Sequence, residues 1–308
     1  MNQPQVRKGG ILVAVASAII YSGVSVLAKF AYRYNLSPLQ LLKERYLLAS
    51  IILVVVIGVS NWHLLFPRNW HEAGVLLGFS AVFVTGPTLL YFTALRLLPV
   101  STAMFLFHCY PAFAGLFAWI FLHERVTRAY LASVGVIAVG LLLLLGTSFR
   151  SVSGIGVLTM LACTVAYALY AVLSQRVIRG VDPRTLGLYN QVAPAIVLCL
   201  LTIGQPVFYP VVFSSRTAML VFAGIGLSAA GGMFLFVQGI AMIGAQRAVI
   251  IDSLEPVLSA FYALLLLGEH MKPVALAGGL LIVAGVVIGN LPSTKHNVPS
   301  TLPSTTAQ

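Results

Sequence analysis

In a chain of 308 residues, 59% hydrophobic side chains against 8% charged ones exclude an ordinary soluble globule, which needs roughly a quarter of its residues charged to keep its surface wet. The formal net charge of +11 does not point to nucleic acid, for which there is no soluble basic domain; it reads as orientation in a bilayer and contact with anionic headgroups. Lipid is the expected solvent for most of the chain.

Apolar runs of about twenty residues, each enough to cross a hydrocarbon core of roughly 30 Å, recur from Gly10 almost to Asn290. In chain order the predicted spans are 10–30, 39–60, 74–95, 101–122, 129–146, 154–175, 185–203, 217–240, 247–268 and 272–290. The runs are continuously apolar, whereas strands of a membrane barrel alternate over about ten residues, so the predicted fold class is an all-α polytopic membrane protein of ten helices. Arg7, Lys8 and the alanines at 14, 16 and 18 imitate a secretory signal. The alanines precede most of the apolar run instead of following it, so the first span is expected to stay in the protein.

Before the second span, Ser37 and Pro38 have the pattern of an N-cap and first-turn proline, which puts Arg45 about two turns into the membrane. Lys29 and Lys43 are expected to snorkel towards headgroups. Within the third span Thr85, Gly86 and Pro87 predict a kink, as do Ala230, Gly231 and Gly232 in the eighth, where a loosened backbone could meet a solute or the small residues could serve close helix packing. The fourth and ninth spans carry Pro111 and Pro256, expected as helix-break hinges, and His108 lies near the middle of the fourth. Cys109, Cys163 and Cys199 all fall in apolar runs without paired spacing, and are expected to be small core residues without a metal or disulfide role. Residues 291–308, rich in Ser, Thr and Pro, are expected to be a disordered cytoplasmic tail.

With the N-terminus inside, the cytoplasmic connections receive Arg7, Lys8, Arg68, Arg125, Arg128, Arg176, Arg179, Arg184, Arg247 and Lys295, against Arg33, Arg96, Arg150, Arg216 and Lys272 on the other side. That bias predicts both termini in the cytoplasm.

The chain repeats itself. A shift of 145 residues lays Ala103, Pro111, Leu122 and Glu124 on Ala248, Pro256, Leu267 and Glu269; a shift of 146 lays Gly10, Leu12, Ala16, Tyr21 and Val26 on Gly156, Leu158, Ala162, Tyr167 and Val172. Two units follow, 8–148 and 149–290. Each has five spans, and an odd number forces the second to enter the membrane upside down, the inverted repeat of many secondary transporters.

Leu254, Glu255 and Pro256 followed by Leu267, Gly268 and Glu269, with the weaker first-half counterpart Pro111 then Leu122, His123, Glu124 and Arg125, resemble the EamA family of the drug/metabolite transporter superfamily over about residues 8 to 290. The resemblance implies a ten-helix inner-membrane carrier, often an exporter of amino acids or other metabolites, with a central cavity between its halves. It also implies a cavity-facing position for Arg45, which looks like the basic residue often found on the family's second helix. Glu255 before Pro256 looks like a helix element of that family.

Ionisable groups within a span need a cavity, a partner or a proton. Asp252 and Glu255 lie three residues apart, and are expected on one helical face of the ninth span just before Pro256. In the first half their positions hold Phe107 and Tyr110, so the acidic pair breaks the repeat. Two such carboxylates repel when both are charged, and one is expected to take up and release a proton, coupling transport to protons or to an amine-bearing solute. Arg45 is expected to pair with an acid or a solute carboxylate. His108 is either satisfied by a neighbour or relays protons. Tyr21, Tyr167, Tyr91 and Tyr110 are candidate cavity aromatics. Glu124 and Glu269 are expected to fix helix ends.

An enzyme is not expected: GxGD, HExxH, GxSxG and GxxxxGK[ST] are all missing, and no cofactor is implied. The expected partners are a small-molecule solute, the lipid bilayer and protons. The favoured function is a secondary exporter of small metabolites such as amino acids. Alternatives are an efflux carrier for drugs or organic-phosphate solutes, a channel, and an intramembrane enzyme.

Overall fold

A computed structural model of the chain describes residues 8–123, 127–146, 153–177, 181–243 and 245–290. The tail at 291–308 lies outside the described residues, as do Arg7, Glu124, Arg125, Arg150, Arg179 and Lys295. Among the described residues every regular element is helical. Nine helices are long and apolar enough to cross a membrane, and a tenth apolar helix, Pro273–Gly289, is shorter; at about 1.5 Å per residue it still reaches roughly 25 Å, near the lower limit for a span. Outward faces carry Leu12, Val59, Leu142 and Leu158, large apolar side chains left exposed for lipid to cover.

The first half comprises α1 (Lys8–Tyr32), α2 (Pro38–Asn61), α3 (Trp70–Phe83) continued by α4 (Thr85–Leu97), α5 (Val100–Phe107) continued by α6 (Tyr110–Leu122), and α7 (Arg128–Gly146). The second comprises α8 (Gly154–Val177), α9 (Pro183–Leu201), α10 (Arg216–Ile243), α11 (Ala245–Asp252) continued by α12 (Glu255–Tyr262), and α13 (Pro273–Asn290). Helices α2 and α9 start alike. Ser37 caps α2 through a capping box with Gln40, Asp182 accepts from the Arg184 N–H, and a proline follows each cap.

Three of the predicted spans are broken, and prolines explain where. A proline has no N–H, and its ring displaces the carbonyl four residues earlier. Helices α3, α5 and α11 end at Phe83, Phe107 and Asp252, each four residues before Pro87, Pro111 and Pro256. Pro194, by contrast, lies inside α9 without ending it. The kink expected at Gly231 and Gly232 is absent: α10 has no proline and runs unbroken through both. There Ser17 Oγ donates to the Gly232 carbonyl at 2.8 Å, and a Cβ on Gly232 would collide with the Tyr21 ring, so Gly232 serves close packing of α1 on α10. The break before Pro256 also corrects the one-face picture of the acids: Asp252 closes α11 and Glu255 opens α12.

Packing between the halves is symmetric under their exchange. Helix α1 lies along α10 while its repeat counterpart α8 lies along α4 and α3; α2 touches α10 while α9 touches α3; α1 meets α12 while α8 meets α6 and α5. The fourth span meets its counterpart, the ninth, through α5 and α12, and helices α2 and α9, and α7 and α13, pair with their own counterparts. The last pair brings backbones into contact. A Cβ added to Gly140 would stand 2.6 Å from the Gly278 carbonyl oxygen, and one added to Gly278 would stand 2.6 Å from that of Gly140; only small residues allow such an approach.

Candidate functional site

The breaks in the fourth and ninth spans border a cavity of about 370 Å³, lined by Phe107, His108 and Tyr110 at one break and by Asp252 and Glu255 at the other. Tyr21, Arg45, Tyr91, His108, Tyr110, Tyr167, Asp252 and Glu255 all line it, together with Pro87. Gly86, Pro111, Gly231, Gly232 and Pro256 do not line it; Pro111 and Pro256 break the helices beside it and Gly232 packs α10 on α1.

Arg45 is 5% exposed. Its Nη2 donates to the Tyr21 hydroxyl at 3.3 Å, and its guanidinium lies 4.7 Å from the Tyr46 ring centroid and 5.6 Å from that of Phe92. Nε and Nη1 have no hydrogen-bond partner. The ion pairs among the described residues are His108 with Glu255, at 3.8 Å, and Arg184 with Asp182, at 3.0 Å; neither involves Arg45. His108 caps α5 with its Nδ1 at 2.9 Å from the Met104 carbonyl, and turns Nε2 to Glu255. Glu255, as first residue of α12, sits at the positive end of a half-helix, where a carboxylate is favoured.

An aromatic wall completes the cavity. Tyr91 exchanges a 2.7 Å hydrogen bond with Ser25 and meets Phe107 edge-on. The Tyr167 ring centroid lies 4.9 Å from that of Phe107 and 5.0 Å from that of Tyr110. Tyr170 accepts from Asn190 Nδ2 at 2.7 Å, and Asn190 Oδ1 accepts from Ser80 at 2.8 Å. Cys163, expected to be a plain core residue, also reaches the cavity, with its thiol against the Pro87 carbonyl. Among the described residues no group of three His, Cys, Asp or Glu side chains is placed to hold a metal.

The repeat shifts make sense of this lining. Tyr21 and Tyr167, Tyr91 and Phe236, Phe107 and Asp252, and Tyr110 and Glu255 are repeat equivalents, and all of them face the cavity. So are Arg45 and Asn190, 145 residues apart. The cavity therefore sits on the axis that exchanges the halves. Its ends differ. Towards the start of α9 it is lined by Ser174, Leu186, Gly187 and Ile240 and reaches exposed Pro183. The equivalents at the other end, Ala28, Leu41, Leu42 and Leu95, are 0% exposed in the packed core. Beside the mouth, the Arg184 guanidinium holds the Asp182 carboxyl below the usual carboxylate range.

The two halves are also what known proteins recognise. The model of the EamA-like transporter family matches this chain twice, over residues 8–146 and again over 154–291. The chain belongs to the EamA-like transporter family. A protein of Clostridium kluyveri named an uncharacterized transporter is 24% identical over 302 residues, covering 94% of this chain and 96% of the relative. The uncharacterized transporter YcbK of Bacillus subtilis is 24% identical over 316 residues, covering 96% and 98%. A solved crystal structure with 22% identity covers 92% of this chain and 96% of its own at a TM-score of 0.63, a shared fold. This EamA-like transporter is thus an integral membrane protein.

Sequence reasoning missed Ser25, Tyr170 and Asn190 on this EamA-like chain because it searched the spans for charge. The 145-residue shift that pairs Asn190 with Arg45 was the available signal.

Proposed function

We propose that this transporter is a secondary carrier for small zwitterionic, amphipathic metabolites such as amino acids, exporting them by alternating exposure of the central cavity. The observation that carries the reading is the buried Arg45 guanidinium with Nε and Nη1 unpartnered in the same cavity as Asp252 and Glu255. A buried cation without a carboxylate stays costly until something anionic joins it, and a planar guanidinium suits a carboxylate. The acids supply acceptors for an ammonium group, and the tyrosines and Phe107 cover an apolar body. A phosphate ester fits less well, since the cavity that holds the one guanidinium also holds two carboxylates.

Asp252 and Glu255 also serve as the proton site that couples export to an inward proton gradient, with His108 between Glu255 and the turn that ends α5. On this reading the protein resides in a bacterial inner membrane with both termini in the cytoplasm, and the mouth beside Pro183 faces the cytoplasm. Binding to purified protein tests it. A neutral amino acid is compared with its decarboxylated amine and its deaminated acid. The zwitterion is expected to bind most tightly, and equal binding of all three would refute the assignment of Arg45 and the acids.

A further inference from the structure

The end of the cavity opposite the mouth is shut by more than apolar packing. Lys43 and Glu44, one turn into α2, are 1% and 0% exposed, and both reach into the other half. Lys43 Nζ donates to the Pro206 carbonyl at 2.5 Å and lies 4.3 Å from the Tyr209 ring centroid. The Glu44 carboxylate accepts the Tyr209 N–H at 2.6 Å. Pro206 and Tyr209 belong to the segment 202–215 that joins α9 to α10, and the Tyr209 hydroxyl ties that segment to itself through Gln205.

Two features argue against a purely structural role. Buried charges are a poor source of stability, since well-packed apolar residues usually do as well, and Glu44 keeps one oxygen, Oε2, without a partner. Such a contact is held dry while the segment is closed and regains hydration when it leaves, which makes it releasable. It is also one-sided. The repeat equivalents of Lys43 and Glu44 are Leu188 and Tyr189, and at the mouth the counterpart segment Trp62–Leu65 meets α9 through a Thr185 Oγ1 bond to the Leu64 carbonyl at 3.0 Å.

We propose that Lys43 and Glu44 form a latch that holds segment 202–215 over the closed end of the cavity, and that its release is required for the solute site to open on that face. The latch rests on the alternating-exposure reading, and its test reads accessibility, so it needs no knowledge of the solute. In a background with Cys109, Cys163 and Cys199 replaced by Ala, single reporters Leu41→Cys at the closed end and Leu186→Cys at the mouth are labelled with a membrane-impermeant maleimide. Lys43→Ala with Glu44→Ala removes both ties from α2 to the segment and leaves the buried Tyr209 N–H without its acceptor. It is expected to raise labelling at Leu41→Cys roughly tenfold, equivalent to about 1.4 kcal/mol in the population open on that face, and to lower it at Leu186→Cys.

Reactive Leu186→Cys with unchanged Leu41→Cys overturns the latch alone; an unreactive Leu186→Cys overturns the open mouth and the latch with it. Should the double variant fail to fold, a Lys43→Cys/Pro206→Cys pair is oxidised instead. Loss of Leu41→Cys labelling that reductant restores supports the latch, and labelling that persists through complete cross-linking overturns it.

Discussion

Replacing Arg45 with Gln removes the guanidinium while keeping a polar group in its place. Arg45 has no ion-pair partner among the described residues and leaves Nε and Nη1 unbonded, so the change orphans no buried carboxylate, and the fold is expected to survive. What it loses is the pair of charge-assisted hydrogen bonds offered to a solute carboxylate. Truncating one partner of a buried charge pair costs about 2–5 kcal/mol, which converts to a rise in Kd of about thirtyfold to several thousandfold. The matching amine, which has no carboxylate, is expected to bind the variant as well as it binds the parent. Titration of purified Arg45→Gln with both solutes, beside a thermal melt of each protein, provides the comparison. Equal losses for zwitterion and amine, or none for the zwitterion, would refute the reasoning.

The acids, the helix contacts and the caps each give a further expectation. Asp252→Asn should weaken binding of the zwitterion, whose ammonium group loses an acceptor, and abolish the response of flux to an imposed pH gradient; an unchanged pH response in liposomes removes Asp252 from the coupling. Gly278→Leu forces a side chain into the Gly140 backbone and should cost several kcal/mol, at the upper end of the roughly 1–3 kcal/mol typical of overpacking, read as a large drop in Tm. Asp182→Ala removes the cap of α9 and is expected to cost about 1 kcal/mol. Because Arg184 depresses the Asp182 carboxyl, its contribution is present at neutral pH and lost as pH falls through the folded-state value. The parent and Asp182→Ala melting temperatures should therefore converge in acid.

The number of spans, the doubling and the acidic pair were legible because lipid imposes long apolar runs and penalises each charge within them. The prolines were visible too, and Pro111 and Pro256 were expected as helix breaks, yet Asp252 and Glu255 were still placed on one helical face. The consequence of Pro256 falls four residues upstream, and it separates Asp252 from Glu255. Gly231 and Gly232 misled in the opposite direction, since glycine permits a break but only a missing hydrogen bond or a steric clash enforces one. Lys43 was expected to reach headgroups; instead it is buried beneath a segment more than 160 residues away in sequence. Lys29 likewise turns to the Leu98 carbonyl, at 2.6 Å. Local pattern carries no trace of such long-range covers. Glu269 accepts from Val100 N at 3.0 Å and so caps α5 from the other half, whereas its counterpart Glu124 lies outside the described residues.

Counterflow in liposomes containing this protein alone tests the central claim most directly. Vesicles preloaded with a neutral amino acid should take up the labelled solute transiently and saturably, and Arg45→Gln should abolish that uptake. Labelled solute that enters no faster than into protein-free vesicles, across a panel of amino acids and with folded protein verified in the membrane, would contradict the account.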